Sequence, residues 1–124
     1  MSRGEDQRLH DIADAVDAIK AHVTRARTEP RLHDDPLLHD ALLYEFVVLG
    51  EAVKHLTAET RARAPEVPWQ SVAGLRDLIA HEYFRIDIRR VLDIVERDLP
   101  ALEQAIARLL KPQEGQQPPT ESDT

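Results

Sequence analysis

Residues 74–84, GLRDLIAHEYF, bring several side chains capable of acid–base and phosphate chemistry into an otherwise apolar segment. Four of them fall within eight consecutive positions: Arg76, Asp77, His81 and Tyr83. A histidine that titrates near neutrality can move protons, and an arginine fork can stabilise a phosphate that gains negative charge. A carboxylate four residues before a histidine on a helix can orient the ring and favour its charged form. These residue types suit metal-independent cleavage of RNA, in which a 2′-hydroxyl attacks the adjacent phosphate.

The spacing of these residues limits what one chain can do alone. Because each residue of a helix advances by about 100°, Arg76 and His81 would point roughly 140° apart. They could act on one target only if the helix ends between them or if two chains contribute to one site. The turn-like sequence FRID at 84–87 favours a helix end near His81. Arg85, Arg89 and Arg90 follow closely and could hold an RNA backbone.

A purely structural interpretation of the same residues stays open. The pattern R-x-x-x-x-H arises by chance in many helical proteins. His81 would then cap a helix end, where the helix dipole favours a cation. Asp77 would be a surface ion-pair partner, and Tyr83 would be a core residue with its hydroxyl in water. Spacing alone does not separate this interpretation from the catalytic one.

The amino-acid composition and the net charge argue against several kinds of functional site. The chain has no cysteine among its 124 residues, which excludes disulfides, thiolate metal sites and cysteine nucleophiles. We expect no bound metal and no cofactor. The net charge is −7, and three of the acidic residues lie in a tail after Lys111 that has no basic residue. The remaining charge, about −4, weakly disfavours a non-specific nucleic-acid binder.

The sequence carries no targeting or membrane signal that we recognise. The first ten residues, MSRGEDQRLH, are polar and lack the apolar core of a signal peptide. No apolar run is long enough to cross a bilayer. We therefore expect a cytoplasmic protein that does not contact membranes.

Hydrophobic periodicity predicts an all-α fold, an antiparallel bundle of four to five helices. Apolar residues at steps of three and four predict a first helix from about Glu5 to Thr28. Asp35 followed by Pro36 is a good helix start, and the second helix is predicted to reach about Ala64.

The second half of the chain predicts two further helices and a tail. Ser71 is the predicted cap of a short third helix that carries the motif. Asp87 is the predicted cap of a last helix, kinked at Pro100, where the apolar rhythm continues without a break. We predict one domain over 1–111 and a disordered acidic and polar tail over 112–124.

Larger stretches of the chain resemble the HepT-like branch of the HEPN-domain proteins, from about Leu42 to Ile106. The similar stretches read FVVLGEAVKHL, PEVPWQSVAGLRDLIAHEYFRID and DLPALEQAI. The hallmark of this branch is R-x-x-x-x-H-x-Y, matched here by Arg76, His81 and Tyr83. The supporting landmarks, in chain order, are Gly50, Glu51, Pro68, Trp69 and Gly74.

The resemblance implies the toxin of a toxin–antitoxin pair, a metal-independent endoribonuclease that acts as a homodimer. Its active sites would lie in a cleft where two motif helices meet, with Arg76 and His81 as the catalytic residues. The implied partner is an MntA-like nucleotidyltransferase, which neutralises the toxin by adding AMP to the motif tyrosine, here Tyr83.

One departure from the family pattern leaves alternatives open. The residue after the motif arginine is often asparagine in this branch and is Asp77 here, which adds negative charge near a phosphate site. One alternative is a non-catalytic family member that binds a nucleotidyltransferase or a nucleotide. A helical-bundle adaptor without nucleotide chemistry is a third interpretation.

Overall fold

The computed structural model of the protein describes residues 3–111, and within them it contains α-helices joined by short connections and no strand. The connection after the first helix is a 3-10 helix over Pro30–Asp34. The five α-helices are α1 (Arg3–Thr28), α2 (Pro36–Lys54), α3 (Ala58–Ala62), α4 (Trp69–Glu82) and α5 (Ile88–Leu110). The tail over 112–124, which the sequence predicts to be disordered, lies outside the described residues.

The helices pack antiparallel around one apolar core, as the sequence predicts. Helix α2 lies between α1 and α4, and α5 packs against α1. Ion pairs Lys20–Glu103 and Arg27–Glu96 join α1 to α5 in reverse order along the two helices. The core contains large side chains from α1, α2 and α5 that are fully buried, among them Leu9, Ile12, Leu42, Phe46, Leu49 and Leu102. Burial of these apolar faces is the main force that holds the bundle together.

The predicted extent of the second helix, to Ala64, is wrong. Helix α2 ends at Lys54, and the short α3 follows after a turn. Thr57 starts α3 because its side chain accepts a hydrogen bond from the backbone N–H of Thr60. The Glu5 carboxylate accepts hydrogen bonds from the backbone N–H and the hydroxyl of Thr57, which ties this turn to α1. Apolar spacing continues past the end of α2 because one residue of the turn, Leu56, is buried as well.

The predicted start of the third helix at a Ser71 cap is also wrong, since α4 begins at Trp69 and its cap position is Pro68, three residues before Ser71. The residue before it, Pro68, offers no side-chain cap. Instead the Trp69 indole N–H lies 3.0 Å from the carbonyl oxygen of Arg61 and 2.9 Å from that of Ala64. The first residue of α4 is therefore fixed to the turn after α3.

The end of α4 and the start of α5 agree with the sequence. Residues 83–87 form a turn, and the Asp87 side chain caps α5 by accepting a hydrogen bond of 2.8 Å from the Arg89 backbone N–H. Helix α5 continues through Pro100 as one element. Proline has no N–H, so the carbonyl of residue 96 lacks its usual helical donor at that point. None of the helices in residues 3–111 has the length and apolarity required to span a membrane.

Candidate active site

Helix α4 positions the motif residues, and it does not end between them. The helix runs to Glu82, and Tyr83 follows with helical backbone angles of −47° and −47°. The helix end predicted near His81 is therefore close to correct, but it comes after both motif residues. Arg76 and His81 consequently remain about 140° apart around one regular helix. Within one chain they do not face the same target.

Arg76 is half-exposed and lies between two carboxylates. Its Nε is 2.8 Å from Oε1 of Glu51 on α2, and its Nη1 is 3.2 Å from Oδ1 of Asp77. Oε1 of Glu51 is buried and receives no hydrogen bond of good geometry within residues 3–111, so its contact with Arg76 is one of charge. Glu51, one of the landmarks of the family resemblance, thus contacts the motif arginine.

Gly50 permits the close approach of α2 and α4 at Arg76. A Cβ atom placed on Gly50 would lie 3.0 Å from both the Cβ and the backbone N of Arg76, and 3.3 Å from the carbonyl oxygen of Ala73. Two of these three neighbours are backbone atoms, which can move only if α4 moves. The glycine, which weakens a helix by about 1 kcal/mol relative to alanine, is therefore explained by packing.

We expect Gly50→Ala to lower the free energy of unfolding by about 1 kcal/mol. Overpacking costs about 1–3 kcal/mol, and the gain in helix propensity offsets about 1 kcal/mol of that cost. The matched control is Gly74→Ala on α4, where an added Cβ would meet no atom within 4 Å. Chemical denaturation of both variants measures the difference. Equal stabilisation by the two substitutions would contradict the close contact at Gly50.

His81 lies on the outer face of α4, which points away from α2. The side chain is exposed and makes no hydrogen bond or ion pair within the described residues. Asp77 and Gly74 share this exposed face. The helical spacing allows a contact between Asp77 and His81, but the Asp77 carboxylate pairs with Arg76 instead. The guanidinium of Arg76 is permanently charged and lies at the adjacent position, so it attracts this carboxylate.

Tyr83 is partly buried at the end of α4, and its hydroxyl is not simply solvated. The hydroxyl donates a hydrogen bond of 2.6 Å to Oδ1 of Asp40 on α2. This bond raises the pKa of Tyr83 because the carboxylate favours the protonated phenol. The ring meets Phe84 edge-on at 5.0 Å between centroids, and His39 at 6.2 Å. Phe84 itself is 95% exposed.

Asp40 is the residue of this site that the sequence analysis missed. It lies 43 residues before Tyr83, so no local motif connects the two. The spacing of acidic residues along α2 gives a weak indication that Asp40 belongs to the site. Asp40 and Glu51 are 11 residues apart, which is close to three full turns, so both carboxylates occupy nearly the same face. That face meets α4, where Arg76 and Tyr83 are seven residues apart and share a face as well.

The three arginines predicted to hold RNA differ in whether a carboxylate already pairs with them. Arg85 is exposed and has no partner within residues 3–111, whereas Arg89 pairs with Asp87 at 3.0 Å and Arg90 with Glu82 at 3.3 Å. The pairing with Arg89 lowers the pKa of Asp87.

Arg90 and Arg89 belong to two different clefts. Arg90 lines an open cleft of about 400 Å³ between α4 and α5, which Gly74 and Leu78 also line. Arg89 lines another of about 500 Å³ together with His33 and His39. In the part of the chain described, no three histidine or carboxylate side chains come together as a metal site.

A family model described as "Ribonuclease HepT-like" matches residues 12–109, which include all five described α-helices in whole or in part. This chain belongs to the HepT-like ribonuclease family. The resemblance noted from the sequence motifs is thereby confirmed, and the HepT-like match extends it to α1.

Several named proteins are similar to this HepT-like chain. A Thermococcus cleftensis protein named "Probable ribonuclease HepT" is 31% identical over 111 residues, which cover 90% of this chain and 100% of that protein. A Caldanaerobacter subterraneus subsp. tengcongensis protein named "Putative RNase" is 36% identical over 77 residues, 62% of this chain and 69% of its own length.

A longer relative comes from Methanocaldococcus jannaschii and is named "Gamma-glutamylcyclotransferase and putative RNase". It is 28% identical over 103 residues, 83% of this chain, and the chain spans 46% of its length. No solved structure matches this HepT-like chain.

Proposed function

We propose that this HepT-like chain is the toxin of a toxin–antitoxin pair and a metal-independent endoribonuclease. The observation that carries the proposal is the position of His81 on an exposed face of α4, with a half-exposed arginine on another face of the same helix. Such a face is open to a phosphodiester strand. The family membership supports the choice of RNA as substrate.

In the proposed reaction, the 2′-oxygen of a ribose attacks the neighbouring phosphorus. A new oxygen–phosphorus bond forms, and the bond to the 5′-oxygen of the next nucleotide breaks. His81 accepts the 2′-hydroxyl proton, and that proton then passes to the leaving 5′-oxygen. Arg76 stabilises the negative charge that accumulates on the phosphorane oxygens. Both groups belong to the chain, and no step requires a metal.

The proposed active unit is a homodimer, because the two catalytic groups diverge on one helix. Two α4 helices that meet across a two-fold axis would place Arg76 of one subunit opposite His81 of the other. Gly74 supports this arrangement, since no packing within the described chain requires a glycine there. Large apolar side chains that dimer formation could cover are also exposed: Leu37 at 79%, Tyr44 at 65% and Phe84 at 95%.

In the proposed reaction, RNA has to compete with the carboxylates around Arg76 for the guanidinium. Glu51 and Asp77 hold the guanidinium in place, but they also oppose an incoming phosphate. An RNA strand must displace at least the exposed Asp77 from Nη1. Among the arginines proposed to contact the RNA backbone, Arg85 is free to do so, while Arg89 and Arg90 must first release a carboxylate.

The ribonuclease activity is proposed to be inhibited by nucleotide transfer to the chain. The proposed partner is an MntA-like nucleotidyltransferase that adds AMP to Tyr83 in the cytoplasm. Tyr83 supports this role because it lies at the end of the motif helix and is only partly buried. An attached AMP would add a phosphate charge that competes for Arg76 and a base that blocks the RNA strand.

The test of the proposed activity is an RNA-cleavage assay on the chain purified without a partner. We expect cleavage that is unchanged by EDTA and leaves 2′,3′-cyclic phosphate ends, because the 2′-oxygen is the attacking group. Loss of activity on chelation would overturn the metal-independent mechanism. Mass spectrometry of the cleaved fragments identifies the ends.

A second candidate function is a non-catalytic binding module for a nucleotidyltransferase or a nucleotide. The contact of Arg76 with both Glu51 and Asp77 favours this candidate, because a neutralised arginine binds phosphate less strongly. Absence of RNA cleavage by a correctly folded dimer, with nucleotide transfer to Tyr83 retained, would select it over the ribonuclease.

A further inference from the structure

The hydroxyl of Tyr83 already has a proton acceptor in the folded chain. Oδ1 of Asp40 lies 2.6 Å from the phenol oxygen, on a neighbouring helix rather than on α4. The Asp40 side chain is 56% exposed, so a proton that it receives can pass to water. His39 is the other titratable group that faces this pair, and its Nδ1 is 3.6 Å from the same Oδ1.

We propose that Asp40 is the base that takes the proton of Tyr83 when AMP is transferred to that tyrosine, an inference that rests on the proposed modification. The Tyr83 oxygen forms a bond to the α-phosphorus of a nucleoside triphosphate. The bond from that phosphorus to the bridging oxygen breaks, and pyrophosphate leaves with the electron pair. The phenol proton moves to Asp40. Asp40 touches the reacting oxygen and is therefore a catalytic residue of the transfer.

The fold holds this pair in place before any partner binds. Edge-on contacts with Phe84 and His39 support the Tyr83 ring, and the regular backbone of α2 carries Asp40. Helices α2 and α4 are held together further along by the close contact between Gly50 and Arg76. A base and a nucleophile fixed at hydrogen-bond distance avoid the entropy cost of bringing them together.

The same hydrogen bond explains why a base is needed. Because it raises the pKa of Tyr83, it keeps the phenol protonated in the resting protein. The nucleophile must therefore lose its proton during the transfer rather than before it. After the transfer, the ester oxygen has no proton to donate, and the hydrogen bond between α2 and the end of α4 is lost.

The experiment measures AMP transfer to the full chain by its cognate nucleotidyltransferase with ATP and magnesium. Intact-protein mass spectrometry gives the rate for wild type, Asp40→Asn and the control Glu45→Gln. Glu45 lies on the same helix, and the hydrogen bond of the Tyr83 hydroxyl goes to Asp40 rather than to Glu45. The asparagine keeps an oxygen that can accept the hydrogen bond but cannot take the proton. Circular dichroism checks that both variants fold.

We expect Asp40→Asn to slow the transfer by about a hundredfold or more at neutral pH, the usual effect of losing a general base. The deficit should shrink as the pH rises, since an ionised phenol needs no base. Glu45→Gln should match wild type. Absorbance titration should show a lower phenol pKa for Tyr83 in Asp40→Asn, with Tyr44 as the internal reference.

The outcomes separate this inference from the proposed function. Transfer to Asp40→Asn at the wild-type rate overturns the inference and leaves the proposed modification intact. A deficit of constant size at every pH also overturns it, because that result indicates a positioning role. Wild-type protein that receives no AMP at Tyr83 overturns the proposed modification, and the role of Asp40 with it.

Discussion

Arg76→Ala and His81→Ala should each reduce RNA cleavage by about a hundredfold or more, with the helical content unchanged. Both side chains are at least partly exposed, and neither belongs to the apolar core, so their removal leaves the packing of the bundle intact. Arg76→Ala removes the cation that stabilises the phosphorane, and His81→Ala removes the proton-transfer group. Initial rates on a labelled RNA and circular dichroism measure the two quantities. Full activity in His81→Ala would refute the mechanism.

Mixing the two inactive variants tests whether the site is shared between subunits. If each site takes Arg76 from one chain and His81 from the other, a mixed dimer has one intact site and one doubly defective site. Random exchange of equal amounts should therefore restore about a quarter of the wild-type sites. Sites that lie within single chains would give no recovery. A chain that sediments only as a monomer at micromolar concentration would also contradict the shared site.

Tyr83→Phe should abolish AMP attachment by the cognate nucleotidyltransferase and leave the toxin uncontrolled. The substitution removes the hydroxyl that is proposed to accept AMP. It keeps the aromatic ring in contact with Phe84 and His39. In wild type, intact-protein mass should increase in steps of one adenylate when ATP and magnesium are present.

Tyr44→Phe is the matched control for this result. Tyr44 is the other tyrosine of the chain, lies on α2 and is 65% exposed, so simple accessibility would favour it over Tyr83. We expect Tyr44→Phe to be modified as wild type is. Loss of the mass increase in Tyr44→Phe would show that Tyr83 is not the acceptor, and the proposed regulation would be wrong.

The sequence predicts the bundle well because helical periodicity and capping are local. Three correctly predicted features depend only on neighbours within a few residues. They are the helix start at Asp35–Pro36, the Asp87 cap and the continuous helix through Pro100. The turn at Thr57 was missed because the apolar rhythm continues through buried Leu56. The start of α4 was missed because it depends on the Trp69 indole reaching the carbonyls of the preceding turn.

The candidate site was predictable to a smaller extent. The motif residues are close in sequence, and their divergence around the helix follows from helical geometry alone. Two contacts depend on how α2 and α4 pack, which hydrophobic periodicity does not specify. They are the contact of Glu51 with Arg76 and that of Asp40 with Tyr83. Helical spacing allows Asp77 to contact either Arg76 or His81, so spacing alone does not predict the observed pairing with Arg76.

The position of Trp69 gives the protein an intrinsic fluorescent probe. It is the only tryptophan of the chain, and it is the first residue of the helix that carries the motif. Its indole is buried and donates to carbonyl oxygens of Arg61 and Ala64, so its emission depends on the docking of α4 on that turn. Displacement of α4 by a bound strand, a second subunit or an attached nucleotide would therefore shift the emission spectrum without any added label.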